Sequence, residues 1–217
     1  MKMTYNPRFK KNALTMVEIV VVIATIVILA GLILPALNKP RGRSGRINCV
    51  SNLKQLGLAM RMFSNDHTDK FPWAVPKVEG GSLEYAESAE VFRHFMALSN
   101  ELITPKILIC SSDLERQRSS DWNLFSNSNL SYFAGLDADE TKPQTILSGD
   151  RNLSVSNTPV RGLMTVTRNN KLHVLPGLHQ GPINISLADG SAQQMTEVRV
   201  KNWIQDTNSL PMRLAIP

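Results

Sequence analysis

The sequence predicts an α+β protein: a long N-terminal helix, transmembrane at first and amphipathic later, packed on an antiparallel β-sheet of about four strands. Three observations carry this. Leu14 to Leu34, LTMVEIVVVIATIVILAGLIL, runs for 21 residues with one charge, Glu18. Between Asn48 and Asp66, the residues Leu53, Leu56, Met60 and Phe63 recur at the spacing of a helix with one apolar face. Beyond residue 130, short apolar or alternating stretches end in turn residues, as strands do.

Residues 1–13 read as a leader. They are polar and basic through Lys2, Arg8, Lys10 and Lys11, and hold no acid. Residues 14–37 read as a membrane helix, because 21 residues at 1.5 Å each reach roughly 30 Å, the hydrocarbon thickness of a bilayer. A carboxylate inside such a helix costs about 3 kcal/mol on insertion scales, so Glu18 calls for a partner. A cut between Ala13 and Leu14 would create an α-ammonium four residues before Glu18. Within one helix the two charges share a face. Between neighbours, one subunit's ammonium would neutralise another's Glu18 and set the axial register, since a slipped neighbour leaves a bare charge in lipid. Pro35 is expected to kink the helix. The plainer alternative is a signal anchor in which Glu18 snorkels to the interface. A secretory signal peptide fits poorly, because no A-x-A-like site follows the run and the run exceeds a usual apolar region of that kind.

Residues 38–46, NKPRGRSGR, read as a basic juxtamembrane linker, with Pro40, Gly42 and Gly45 breaking the helix. Its four cations suit anionic headgroups or plain solvent. Residues 47–217 form the folded domain. A helix over 48–66 is followed by a Pro- and Gly-rich loop, Lys70 to Gly81. Ser82 is expected to cap a second helix to about residue 99, with Tyr85, Ala89, Phe92, Phe95 and Met96 on one side. Ile107 to Cys110, Leu130 to Leu136 and Gln144 to Ser148 read as strands. Asp137, Asp139, Glu140 and Asp150 supply enough oxygen ligands to consider Ca²⁺, although their spacing is not that of an EF-hand and a solvated acidic turn is simpler. Ile183, Ile185 and Leu187 alternate with Asn184, Ser186 and Ala188, which predicts a strand with one buried face. Asp189-Gly190 is a hairpin-turn pair, and SAQQMT returns as the next strand. Val198 to Asp206 closes as a short helix or strand.

The basic leader, the small Ala13 and the run LTMVEIVVVIATIVILAGLILPAL resemble the processing signal of type IV prepilins and type II secretion pseudopilins. The resemblance departs at Ala13, where glycine is usual, and at Leu14, where phenylalanine is usual. The segment INCVSNLKQLGLA and the stretch HQGPINISLADG resemble a pseudopilin-like subgroup with an H-x9-DG signature, here His179, Asp189 and Gly190. The resemblance implies a pilin-like fold and a structural role. A membrane prepilin peptidase would cut between Ala13 and Leu14 and methylate Leu14, with Glu18 and Pro35 as the assembly residues. Partners would be that peptidase, other pilin-like subunits, an inner-membrane assembly platform and membrane lipid. The protein would sit in the inner membrane as a single-pass chain, N-terminus cytoplasmic and residues 47–217 periplasmic. In that oxidising compartment an even cysteine count permits a Cys49–Cys110 disulfide; two separate buried thiols are the alternative. Some members bind calcium in an acidic loop; no other cofactor is implied. On one straight strand His179 and Asp189 lie at opposite ends, roughly 30 Å apart if fully extended, so they make no catalytic dyad. His179 is expected to be a hydrogen-bonding group at a loop or strand end.

The pI of 9.5 invites a nucleic-acid reading, and the charge distribution removes it. Four cations lie in residues 1–13 and four in 38–46; with Glu18 and the total of +6, residues 47–217 keep a net charge of −1. That near-neutral domain carries no electrostatic footprint for DNA or RNA. No G-x-S-x-G, H-E-x-x-H or paired C-x-x-C motif occurs, and His67, His94, His173 and His179 are scattered. The expectation is therefore not an enzyme. A membrane-anchored binding module that never polymerises is the first alternative, and a membrane-anchored hydrolase the second, since catalytic triads are spatial and leave no sequence order.

Overall fold

The computed structural model of the 217-residue chain describes residues 15–37, 41–155, 158–170, 172–176, 178–179, 181–207 and 209–217. The fold is mixed helix and antiparallel sheet. The chain divides into two compact units, Met1–Arg41 and Gly42–Pro217.

In the first unit, α1 spans Met16–Leu37. Its described side chains, through Leu32, are all exposed. It runs past Pro35 and ends two residues later, consistent with a ring that removes one helical hydrogen bond near an end.

Helix α2 spans Arg41–Asp66 and belongs to the second unit from Gly42 onward. Within the linker expected over 38–46, residues 41–46 are helical, and residues 38–40 lie outside the described residues. The first turns of α2 lie against the segment after Cys110. Ser111 Oγ donates to the Gly45 carbonyl at 3.3 Å, and a Cβ on Gly45 would come within 3.0 Å of Ser112 Oγ. A glycine that weakens a helix in isolation here permits its docking. The apolar stripe holds: Leu53, Leu56, Met60 and Phe63 are all buried.

Between α2 and the sheet the chain is built from 3₁₀ turns and one short helix, α3, Phe92–Met96. The helix expected over 82–99 does not form as one piece. Ser82 spends its hydroxyl on His94 Nδ1 at 2.8 Å instead of on a helix start, and Ala89 is exposed. The strand expected over 107–110 is a 3₁₀ turn, Pro105–Leu108, started by Pro105 with the Thr104 hydroxyl accepting from the Lys106 N–H.

Nine strands follow among the described residues: β1 Tyr132–Gly135, β2 Ile146–Asp150, β3 Leu153–Val155, β4 Thr158–Pro159, β5 Gly162–Val166, β6 Leu172–Val174, β7 Ile183–Leu187, β8 Ala192–Met195 and β9 Met212–Ile216. Six form one sheet in the order β5-β9-β1-β2-β7-β8, and β4-β3-β6 form a second. The pairings are antiparallel throughout. The expectation of about four strands is thus too few. Helix α4, Glu197–Asp206, is capped by the Thr196 hydroxyl accepting from the Arg199 N–H.

The large sheet is covered on both faces. On one, Leu53, Leu56, Met60 and Phe63 of α2 pack with Tyr132, Ala134, Leu147, Ala188 and Ala215. On the other, Phe133, Ile183, Ile185, Leu187, Leu214 and Ile216 pack with Val200 and Ile204 of α4 and with Leu153 and Leu172 of the small sheet. The single buried face expected for β7 is corrected accordingly: Asn184 and Ser186 are also fully buried, beneath α2. They are accepted there because Gly57 lets the helix come close. A Cβ on Gly57 would meet Ser186 Oγ at 3.0 Å.

Candidate functional site

Both ends of the signature stretch, His179 and Asp189-Gly190, lie near α2. At the first end His179 is 2% exposed. Its Nε2 lies 3.3 Å from Cys110 Sγ and 3.4 Å from Asp150 Oδ2. Cys110 is bonded to Cys49 of α2, with 5.2 Å between the two Cα atoms, so of the two cysteine readings the disulfide is the one observed. Asn52, one turn along, donates to the Ile109 carbonyl at 3.3 Å. Asp150, at the end of β2, is fully buried and accepts from the Asn184 N–H at 2.7 Å.

Burial pushes the Asp150 carboxyl up to about 7 and, aided by the charge on Arg46, pushes the His179 imidazole down to about 4. Both shifts favour the neutral forms, so the 3.4 Å contact is not an ion pair. Asp150 Oδ1, His179 Nδ1, Asn184 Nδ2, Ser186 Oγ and the Tyr132 hydroxyl are buried with no protein partner. A histidine–carboxylate pair is a frequent catalytic element. Here the groups next to Nε2 are a disulfide sulfur and the carboxylate, and the cluster is closed to solvent.

At the other end the Asp189-Gly190 turn seats on α2. Gly190 has φ of +80°, a region a side chain rarely tolerates, and a Cβ there would sit 3.1 Å from Arg61 Cδ. Asp189 closes the turn by accepting from the Ser191 N–H at 2.8 Å. Arg61 Nη1 donates to the Asp189 carbonyl at 3.1 Å, and Arg61 Nε pairs with Glu140 at 3.0 Å. A Cβ on Gly57 would meet the Gly190 backbone at 3.2 Å. Cys49 and Gly57 are about 12 Å apart along a helix. The disulfide at one end and the Asp189-Gly190 turn at the other therefore hold α2 at two separated points.

The four candidate calcium residues each have a separate local partner, Glu140 pairing with Arg61 at 3.0 Å. Asp137 pairs with Arg213, Nη2 to Oδ1 at 2.7 Å, and accepts from its backbone N–H at 2.6 Å. Asp139 caps its own turn, accepting from the Thr141 N–H at 2.9 Å and pairing with Lys142 at 3.3 Å. Asp150 lies in the buried cluster. Each carboxylate is already engaged, and Asp137 and Asp150 sit beside different strands, β9 and β7.

Ala13 and Leu14 lie outside the described residues. Glu18 is the third residue of α1, and its Oε2 accepts from the Thr15 N–H at 2.7 Å and from Thr15 Oγ1 at 2.8 Å. The Glu18 N–H in turn donates to Thr15 Oγ1 at 3.4 Å. This reciprocal arrangement is the T-x-x-E capping box. It was legible as Thr15-Met-Val-Glu18 but is hidden by the stronger apolar signal. The meeting of His179, Asp150 and the disulfide had no such sign, since its members lie up to 130 positions apart.

No family model, curated protein or solved structure matches this chain.

Proposed function

We propose that the chain is a prepilin-like structural subunit. It is cut between Ala13 and Leu14, methylated on Leu14, and assembled through its N-terminal helix into a type II secretion pseudopilus or related pilus-like fibre. The observation that carries this reading is α1: a helix with a single acid at its start and its described apolar side chains, Met16 to Leu32, uniformly exposed. Apolar surface on that scale requires lipid or other helices around it. Among the described residues no helix is long and apolar enough to cross a membrane. The crossing is argued from the sequence of residues 14–34, and the single-pass, periplasm-facing orientation from the resemblance. The Cys49–Cys110 disulfide suits an oxidising compartment.

The domain's part in such an assembly is to be rigidly attached. A globular unit clamped to α2 at the disulfide and at Gly57–Arg61 moves with that helix. The partners are a prepilin peptidase, neighbouring pilin-like subunits, the inner-membrane platform and lipid.

One observation favours a second reading, a membrane-anchored module that never polymerises. The Glu18 carboxylate is already bonded within its own chain by Thr15. The test is Glu18→Gln in cells carrying the assembly machinery, read by cross-linking between subunits. The assembly reading expects cross-linked multimers to fall at least tenfold while membrane insertion is kept. Unchanged multimers, or none in the unaltered chain, would leave the anchor reading standing. A hydrolase would need His179 to meet a substrate, and its burial gives that reading no support.

A further inference from the structure

Helix α2 carries an unbalanced charge. From Arg41 to Asn65 it holds Arg41, Arg43, Arg46, Lys54 and Arg61 and no acid. Across the second unit Arg61, Arg93, Lys142, Arg151, Lys201 and Arg213 each pair with a carboxylate. Arg46 and Lys54 pair with none among the described residues. Both line one cleft of about 450 Å³, with Ile47, Val50 and Ser51 of α2 and Gln194 of β8. Arg46, Val50 and Lys54 fall four residues apart, so they share a face of the helix. That lining contains no acid, and Arg46 Nε has no hydrogen-bond partner. A cleft with cations of one sign and apolar walls concentrates anions.

The apolar part of the lining selects among anions. Ile47 is 65% exposed and Val50 is half-buried, beside the two cations. A bare phosphate gains nothing from these side chains, whereas an amphiphile buries its carbons on them. The Ser51 hydroxyl and the Gln194 amide add neutral groups suited to ester oxygens and hydroxyls. Arg46 also follows Leu37, the last residue of α1, by only nine positions. Cations so close in the chain to a membrane helix meet anionic headgroups.

We propose that the cleft between α2 and β8 binds the phosphodiester headgroup of an anionic membrane lipid. Arg46 and Lys54 face the phosphate, and Ile47 and Val50 take the first carbons of the lipid. A bound headgroup holds this part of α2 at the membrane surface. Arg41 and Arg43 add a general attraction to the same surface, and the cleft supplies the selectivity. The inference rests on the reading that residues 14–34 lie in a membrane; it does not depend on cleavage or polymerisation.

The test uses the full chain reconstituted into phosphatidylcholine vesicles with and without phosphatidylglycerol. Resistance to alkaline carbonate extraction from pure phosphatidylcholine reads the membrane helix. Lipid kept by the chain after transfer to mild detergent, counted by native mass spectrometry, reads the cleft. The expected result is one phosphatidylglycerol per chain, preferred at least tenfold over phosphatidylcholine. The double variant Arg46→Gln, Lys54→Gln should lose that preference. Lys106→Gln, an exposed cation outside the cleft, should keep it within twofold, and excess inorganic phosphate should not displace the lipid. No preference in the unaltered chain, displacement by inorganic phosphate, or an equal loss in Lys106→Gln or in Arg41→Gln, Arg43→Gln would overturn the proposal. A chain extracted from phosphatidylcholine by carbonate removes the membrane reading and the proposal together. A chain that resists extraction and shows no preference removes the proposal alone. If the double variant does not fold, as its Tm reports, Lys54→Gln decides: a loss of at least threefold is expected, and no loss overturns it.

Discussion

Thr15 donates two hydrogen bonds to one oxygen of Glu18, Oε2, at 2.7 and 2.8 Å. The acid thus has a local task, closing the first turn of α1, besides the charge pairing proposed for it. The assembly account needs its other oxygen to meet a neighbour's ammonium. The two tasks separate by mutation. Thr15→Ala should cost about 1 kcal/mol at the helix start and leave multimer cross-linking within twofold, because the charge remains. Glu18→Gln keeps an acceptor for Thr15 but loses the charge and should fail to assemble. Equal defects in the two variants would mean that the cap, not the charge, matters.

The clamp at Cys49–Cys110 closes a 61-residue span. Chain-entropy reasoning gives such a cross-link about 4 kcal/mol. The double variant Cys49→Ser, Cys110→Ser should therefore unfold at markedly lower denaturant, with a slope at least as steep because its unfolded chain is less constrained. Equal midpoints would show that the turn at Gly57–Arg61 holds α2 by itself.

That second point is probed by Gly57→Leu. The new side chain would be built from a Cβ only 3.0 Å from Ser186 Oγ and 3.2 Å from the Gly190 backbone. Both distances are shorter than ordinary van der Waals contact, so the larger side chain should push α2 away from β7, at about 1–3 kcal/mol as in other overpacked sites. Thermal unfolding and limited proteolysis at the Asp189-Gly190 turn read this directly. An unchanged Tm would contradict the close docking.

Where the chain carries long, consistent periodicity, it could be read before it was seen. The α2 stripe, the Ile183–Leu187 strand and the Asp189-Gly190 turn are of that kind. Other parts resisted for physical reasons. Strands of two to five residues, such as β3 to β6, are too short for a period to show. The helix misread over 82–99 has apolar residues at helical spacing, but Ser82 and His94 bond each other and the backbone turns to allow it. Asn184 and Ser186 look like a solvent face and are buried, because a glycine on another element removed the water above them. Asp150 looked like a loop ligand, and the end of β2 carries it under α2. The site lay in contacts between distant segments, which local pattern does not encode.

His94 makes a pH prediction. It is fully buried, bonded to Ser82 and edge-on to Trp73, and burial pushes its imidazole down to about 4. The unfolded chain binds that proton more readily, so the contribution is complete above the ordinary histidine range and is lost as pH falls from about 6.5 toward 4. The loss should reach roughly 3 kcal/mol. His179, also pushed down to about 4, adds to it, and Asp150, pushed up to about 7, opposes it. Denaturant midpoints of the unaltered chain and His94→Asn across pH 4 to 7 isolate the His94 share. Parallel pH profiles for the two would contradict it.

The most direct test of the whole account is the mass of the mature N-terminus, taken from chain co-expressed with a prepilin peptidase and recovered from membranes. The account predicts a chain starting at Leu14 and carrying one methyl group on its amine. A chain that still starts at Met1 would contradict it.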